Sequence, residues 1–276
     1  MSAKSTTDTI RDDLAAALAP KGGEALDPVD LARRDLVKHL PKRFYERAEA
    51  VETPQGWELR LDGKPARTPA RNPLRHASRA TMEEVAREWA GQGERIDPAS
   101  MPMTRLLNVA LDAVPARAQE VADDIVKYAG SDLLCYRAGE PASLVEAENA
   151  AWNPALDWAK DTLGARLRLA EGVMFAAQPP EARDAIARAV AGADDPLTLA
   201  ALHSMTSLTG SAVLALAVWK GFLTAEQAWA AAHVGEDCQM RVWGADAEAL
   251  ARRAARWADM QAAARAVVAA EKVEKV

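Results

Sequence analysis

The segment from Pro196 to Trp219 contains no Asp, Glu, Lys or Arg, although charged residues make up 27% of the chain. A helix of this length could cross a bilayer. Its polar residues make it far more polar than membrane helices usually are; they are Thr198, His203, Ser204, Thr206, Ser207, Thr209, Gly210 and Ser211. A helix that is apolar nearly all round belongs in the core of a larger protein. We therefore predict a central helix surrounded by other helices, and no membrane insertion.

The segment before residue 78 has the alternation of a β-sheet. Apolar and charged residues alternate from Trp57 to Leu61, which is the period of a half-buried strand. Pro54-Gln55-Gly56 and Asp62-Gly63 supply turns, and Asp-Gly between alternating segments is a strong hairpin signal. The pattern predicts a small antiparallel sheet within residues 42–77.

From Ser78 onward, apolar residues recur with helical spacing almost to the end of the chain. The predicted helices lie near 78–91, 103–130, 143–163, 179–191, 196–220, 224–243 and 246–272. Residues 1–41 are charged and Ala-rich, and we expect them to be a loosely ordered N-terminal arm. The predicted fold is α+β: the arm, a small N-terminal antiparallel β domain at 42–77, and a larger all-helical domain at 78–276.

Charge and cysteine content narrow the possible partners and compartment. The net charge of -6 and pI near 5.4 give no general attraction to phosphate backbones, so no nucleic acid partner is expected. Cys135 and Cys238 are far apart and form no metal-binding motif, and we expect both to be reduced. The first residues lack the apolar core of a secretion signal and are too acidic for a transit peptide. A cytoplasmic protein is expected.

A search for catalytic motifs finds no phosphate-binding loop, no dinucleotide-binding glycine motif, no His-Glu-x-x-His and no nucleophile elbow. The four histidines are scattered; His203, in the apolar segment, is interpreted as a hydrogen-bonded core residue. We therefore predict no enzymatic activity, no cofactor and no metal.

The predicted helix at 224–243 has a pattern that suggests a protein-binding surface. Thr224 and Gln227 have the spacing of a capping box. In one continuous helix, five residues would fall within about 80° of arc: Trp229, His233, Glu236, Met240 and Trp243. Aromatic, Met and a few charged side chains are typical of interfaces. The opposite interpretation is that both faces are buried and that Glu236 pairs with Arg241 or Arg252. The spacing leaves both open.

The turn from Ser131 to Pro141 carries Asp132, Tyr136 and Arg137, which admit two interpretations. They could form a buried network that holds the junction of the two domains. Alternatively, they could line a pocket between the β and helical domains of a small-molecule enzyme.

An ordered set of motifs carries a resemblance over Lys42 to Ala245. The motifs are Lys42-Arg43-Phe44-Tyr45, Leu61-Asp62-Gly63-Lys64, Thr68-Pro69, Glu88-Trp89, Met103-Thr104-Arg105-Leu106 with Asn108, Asp132 to Arg137, Glu140-Pro141, Trp152-Asn153-Pro154 with Trp158, Leu223 to Ala228, Glu236-Asp237-Cys238-Gln239 and Trp243-Gly244. Together they resemble the ATP-twelve family, the assembly chaperones that bind the α subunit of the ATP synthase catalytic head.

The resemblance implies a small β domain, a helical C-terminal domain, no catalysis and no small-molecule substrate. It implies a chaperone that binds the unassembled ATP synthase α subunit, prevents its aggregation and hands it over to the β subunit. Glu236 and Asp237 match the acidic motif of the family and are the partner-contacting candidates that it implies. With the apolar side chains of the same predicted face, the partner-binding candidates are Trp229, Glu236, Asp237, Met240 and Trp243. A bacterial member is expected.

Overall fold

A computed structural model describes residues 39–172 and 175–273, with side chains described up to residue 268. The described residues fall into two compact units, 44–93 with 98–172 and 175–273, and 39–43 with 94–97. In the smaller unit the backbone N–H of Arg43 donates to the carbonyl of Glu94 (2.8 Å). The N-terminal arm predicted at 1–41 lies almost entirely outside the described residues, and the predicted domain boundaries stay predictions.

The predicted antiparallel sheet is confirmed. Its strands are β1 (Ala48–Thr53), β2 (Gly56–Leu61), β3 (Lys64–Pro65) and β4 (Arg75–His76), and β2 pairs with the other three. Asp62 and Gly63 both have positive φ, 49° and 78°, as the two-residue hairpin turn between β2 and β3 requires. The Asp62 carboxylate also accepts the backbone N–H of Arg47 (2.8 Å). The sheet packs on the helix Arg79–Ala90, and Leu59 and Leu61 are buried.

The remaining elements of the described chain are mostly helical. The helices are α1 (Arg79–Ala90), α2 (Pro102–Asp112), α3 (Val114–Ala129), α4 (Ala142–Trp158), α5 (Pro180–Val190), α6 (Pro196–Thr209), α7 (Ala212–Trp219), α8 (Ala225–Ala232), α9 (Val234–Trp243) and α10 (Ala247–Val273). A π-helical turn at Ala159–Leu163 extends α4, 3-10 turns lie at Pro98–Ser100 and Leu133–Cys135, and β5 (Tyr136–Arg137) pairs in parallel with β6 (Ala170–Glu171).

Two long predicted helices are each divided in two. The helix predicted at 103–130 breaks at Ala113, directly before a helix with Pro115 in its first turn. A proline is well placed there because the first N–H groups of a helix have no partner inside it. The helix predicted at 196–220 breaks at Gly210, which has φ 70°, and Ser211 then caps α7 by accepting the N–H of Leu214.

The apolar segment forms the centre of the helical part, as predicted. Helix α6 packs against α2, α3, α7 and α10, and all eight residues of α7 are buried. In the part of the chain that the structure describes, no helix combines the length and the apolar character needed to cross a membrane.

Candidate protein-binding site

The helix predicted at 224–243 is wrong as a single element, because it breaks at His233 between α8 and α9. The Nδ1–H of His233 donates to the Trp229 carbonyl (2.7 Å), and the indole Nε1–H of Trp152 donates to the Ala231 carbonyl (2.7 Å). These carbonyls would otherwise accept helical N–H groups from the next turn. The last carbonyls of a helix have no N–H partner within it, and at this break two of them accept hydrogen bonds from side chains. The predicted capping box at Thr224 and Gln227 is present.

The break at His233 separates the aromatic residues that a single helix would have aligned. Trp229 is buried, with its ring centroid 4.0 Å from that of His233 and 5.5 Å from that of Trp257. Trp243 is 85% exposed, and Met240 is half-buried. The structure therefore does not bring Trp229 to the outer surface with Trp243. The candidate site therefore does not include Trp229.

Glu236 lies in the first turn of α9 and its side chain is 59% exposed. The interpretation that Glu236 is buried and pairs with Arg241 or Arg252 is wrong. Arg241 contacts the Asp237 carbonyl and the Cys238 sulfur, and Arg252 pairs with Glu248.

His233 lies beside Glu236 but does not neutralise it. The Nε2 of His233 is 4.0 Å from a Glu236 oxygen. Burial lowers the pKa of His233, so at neutral pH the ring is uncharged and its one proton is on Nδ1, bonded to Trp229. The Glu236 carboxylate is therefore a full negative charge at the surface.

Asp237, the second carboxylate of the acidic pair, has a structural contact. Arg253 of α10 donates to its Oδ1 (2.5 Å), and the Arg253 side chain is only 20% exposed. The pair joins α9 to α10. Asp237 is still 41% exposed, so the contact leaves part of the carboxylate at the surface.

Helix α9 is unusually exposed for an element inside the described chain. None of its residues is buried, and its last two residues, Val242 and Trp243, are 70% and 85% exposed. A groove of about 390 Å³ separates it from α10; we call it the α9–α10 groove, and its walls include Glu236, Met240 and Trp243. A second groove of about 420 Å³ separates α9 from the start of α4 and is lined by Leu144, Val242 and Trp243.

The exposure of Val242 was not predicted from the sequence. Cys238 and Val242 lie on one side of α9 at a spacing of four residues. The arginines of the α9–α10 groove were also missed. Their signal in the sequence is the i, i+4 pair Arg252 and Arg256 in the first half of α10.

Asp132 belongs to a buried hydrogen-bond network. Its position argues against the alternative in which Asp132 lines the pocket of an enzyme. Asp132 has no exposed surface, so it cannot line an open pocket. Its carboxylate accepts the backbone N–H groups of Leu134 (3.1 Å) and Val213 (3.2 Å). The network joins this turn to the start of α7, and it lies among helices, not at a junction with the sheet.

Arg137 lies in the same region, and its hydrogen bonds go to neutral groups. Its guanidinium donates to the Leu134 carbonyl and to the side-chain oxygens of Asn149 and Asn153, and lies 5.1 Å from the Trp152 ring centroid. The buried carboxylate of Glu148 also interacts electrostatically with this guanidinium, so removal of Arg137 would leave that carboxylate without a nearby positive charge. Tyr136 is half-buried in the short strand β5.

Burial raises the pKa of Asp132 to about 6, although hydrogen bonds from Ser211 and the backbone lower it. The native state therefore binds this proton more tightly than the unfolded chain, whose ordinary value is 3.8. Between these two pKa values, stability from this group rises as pH falls. We expect Asp132 to add about 1 kcal/mol to the free energy of unfolding between pH 7 and pH 5.

The measurement is urea unfolding at both pH values for the native chain and for Asp132→Asn, whose difference isolates this group. The comparison is needed because His233, with its lowered pKa, acts in the opposite direction in the same window. Asp112 and Asp195 have lowered pKa values and lose their contribution only below about pH 4. An Asp132→Asn variant with the pH dependence of the native chain would contradict the assignment.

Other residues that carried the family resemblance hold the fold. Glu88 of α1 accepts the N–H groups of Met103 and Thr104 (both 2.7 Å) and so caps the start of α2. The Tyr45 hydroxyl donates to the Trp89 carbonyl (2.8 Å). Motif residues of this kind identify the fold and not the partner surface.

The histidine of the apolar segment is hydrogen-bonded as predicted, but it is not a core residue. The Nε2 of His203 lies 2.9 Å from Oδ2 of Asp124, and its side chain is 36% exposed. Both cysteines are free. Within residues 39–172 and 175–273, no group of three or more His, Cys, Asp or Glu side chains is arranged to hold a metal ion.

An exposed helix flanked by two grooves is typical of a protein-binding protein. Comparison with known proteins agrees. The model of the ATP12 chaperone protein family matches residues 42–160. The Atu1473 protein of Agrobacterium tumefaciens, for which a chaperone role has been proposed, has 45% sequence identity and a TM-score of 0.80, with 95% of this chain and 98% of that chain covered. Atp12 from Paracoccus denitrificans has 38% identity and a TM-score of 0.76, with 83% and 98% covered.

The chain belongs to the ATP12 chaperone family. This confirms the resemblance found in the sequence, the α+β fold class and the coarser function of an ATP synthase assembly chaperone. The chaperone descriptions of the family and of Atu1473 favour a binding protein over an enzyme.

Proposed function

We propose that this chaperone binds the unassembled α subunit of the ATP synthase catalytic head through the surface around α9. The observation that carries the proposal is that α9 holds adjacent apolar side chains, Val242 and Trp243, in solvent beside the exposed carboxylate of Glu236. Large exposed apolar side chains grouped in this way are typical of binding sites. Trp is also among the residues that contribute most to binding energy.

The proposed partner surface is apolar with a basic group. Met240 and Trp243 would cover apolar side chains of the ATP synthase α subunit, and Glu236 would contact a Lys or Arg there. Asp237 is the second carboxylate of the acidic pair and would add negative charge to the surface from its position beside Arg253. Charges placed at the edge of an apolar contact select the partner and its orientation.

The proposed mechanism is protection followed by displacement. A free ATP synthase α subunit exposes the apolar surface that the β subunit covers in the finished head, and uncovered apolar surface leads to aggregation. The chaperone covers that surface with moderate affinity, and the β subunit then competes for it. The proposal involves no catalysis and no cofactor. The compartment that it assumes is the bacterial cytoplasm, which the two free cysteines favour.

The experiment is a light-scattering assay of the purified α subunit during dilution from denaturant. We expect the chain to suppress aggregation at a near-stoichiometric ratio without added nucleotide, because coverage of a surface requires no hydrolysis. The test variant is the double substitution Val242→Ser with Trp243→Ser. It changes only exposed residues, and we expect it to lose most of the protection against aggregation. Protection that needed a hydrolysable nucleotide would contradict release by competition.

A further inference from the structure

The two walls of the α9–α10 groove differ in charge. The α9 wall carries Glu236 together with Met240 and Trp243. The α10 wall carries three guanidinium groups within two turns of helix, from Arg252, Arg253 and Arg256. The proposed contact of Glu236 with a basic group uses only the α9 wall, and so the arginines of α10 have no role in it.

The contacts of the three arginines differ in kind. Arg253 is held by Asp237 and is largely buried, so it belongs to the floor that joins the helices. Arg256 donates to the carbonyl of Leu208, a neutral group at the end of α6 (2.7 Å). Arg252 pairs with Glu248 in the same helix, and both side chains are more than half exposed.

These contacts leave Arg252 and Arg256 able to bind an anion. A guanidinium has five N–H donors in a planar fork, and the bond to Leu208 uses part of that capacity and holds Arg256 in place. An exposed i, i+4 ion pair such as Arg252 with Glu248 contributes little to stability, so a better-placed carboxylate can replace it. The other carboxylate at this end of the groove, Asp246, caps α10 by accepting the N–H of Glu248 (2.9 Å).

The apolar side chains of the groove complete the site. Met240 is half-buried and Trp243 is almost fully exposed, so both present apolar surface beside the guanidinium groups. A carboxylate bound between them would be shielded from water, and charge-assisted hydrogen bonds are stronger where water is excluded. Arg and Trp together are the residue types that dominate the binding energy of protein interfaces.

We propose that the α9–α10 groove receives an acidic side chain of the bound protein, held by Arg252 and Arg256, with an adjacent apolar side chain of the same segment against Met240 and Trp243. The inference rests on the proposed function, and it specifies the chemistry of the segment that is recognised. The partner segment then carries opposite charges, a basic group for Glu236 and an acidic group for the α10 wall. This arrangement fixes the direction in which the segment lies in the groove.

The first test is charge reversal in the full-length chain, read by biolayer interferometry with immobilised ATP synthase α subunit. Arg252→Glu should weaken binding at least tenfold and keep the melting temperature of the native chain, since the side chain is 61% exposed. The matched control is Arg188→Glu, an exposed position on α5 with the same change in net charge, which should bind within twofold of the native chain. Equal binding by Arg252→Glu and the control would overturn the inference.

The second test identifies the acidic group directly. In Arg252→Lys, the new amine can be joined to a neighbouring carboxylate by a zero-length carbodiimide, and mass spectrometry of the complex locates the link. We expect a link from position 252 to an Asp or Glu of the ATP synthase α subunit. A complex that forms but yields links from position 252 only within the chain, for example to Glu248, would overturn the inference.

The two failures can be told apart. If neither the native chain nor Arg188→Glu binds the ATP synthase α subunit, the proposed function fails. If both bind and Arg252→Glu binds equally well, the proposed function stands and the acidic contact fails.

Discussion

Asp132→Ala should lower the free energy of unfolding by about 3 kcal/mol, because it leaves the buried N–H groups of Leu134 and Val213 without their acceptor. Each unsatisfied buried donor costs about 1–3 kcal/mol, and relief from burying a charge offsets part of the sum. The loss should fall on the whole fold, since Val213 lies in α7, where every residue is buried. Urea unfolding followed by circular dichroism at pH 7 measures it.

Asp132→Asn is the matched control for this position. It keeps one acceptor oxygen and removes the charge, and we expect it to lose about 1 kcal/mol or less at pH 7, within the range of a single hydrogen bond. An alanine variant as stable as the native chain would show that the carboxylate does not hold the turn to α7. In that case the turn from Ser131 to Pro141 would have to be considered as a partner surface.

Glu236→Lys should leave folding nearly unchanged and reduce capture of the ATP synthase α subunit at least tenfold, about 1.4 kcal/mol. The carboxylate is 59% exposed and its neighbour His233 is neutral, so a lysine there buries no charge. At the proposed interface, the same change would place like charges against each other. The measurements are a thermal melt, expected within a few degrees of the native chain, and a quantitative pull-down.

The control for Glu236→Lys is Glu120→Lys on α3, where the side chain is 65% exposed and the charge change is the same. It should melt and bind like the native chain. A Glu236→Lys variant that is insoluble would contradict the exposed position. A soluble variant with unchanged capture would remove Glu236 from the proposed site.

Local signals in the sequence predicted much of the architecture correctly. The hairpin at Asp62-Gly63 depends on the backbone angles that these two residues allow, and the capping box at Thr224 depends on a residue three positions away. The composition of the apolar segment at 196–219 favours a position in the core. Each of these features depends on residues that are close in the chain or on composition alone, and so each is visible before folding.

The candidate site could be predicted only in part. Glu236 and Asp237 were proposed because a short motif carries them, and Trp243 because it shares a helical face with Glu236 and Met240. Their arrangement could not be found, because the predicted face assumed one straight helix from Thr224 to Trp243. Trp229 consequently appeared on the outer face with Trp243, whereas it is buried against Trp257.

The sequence alone determined the fold class, the central helical segment, the hairpin turn and the residues from which a binding surface could be built. The tertiary structure decided where α9 begins and what it exposes. The carbonyl of Ala231 accepts a hydrogen bond from the indole of Trp152, a residue 79 positions earlier. The Trp229 carbonyl accepts one from the buried ring of His233. The last carbonyls of a helix have no N–H partner within it, and a side chain can satisfy them only where the folded chain brings that side chain within reach.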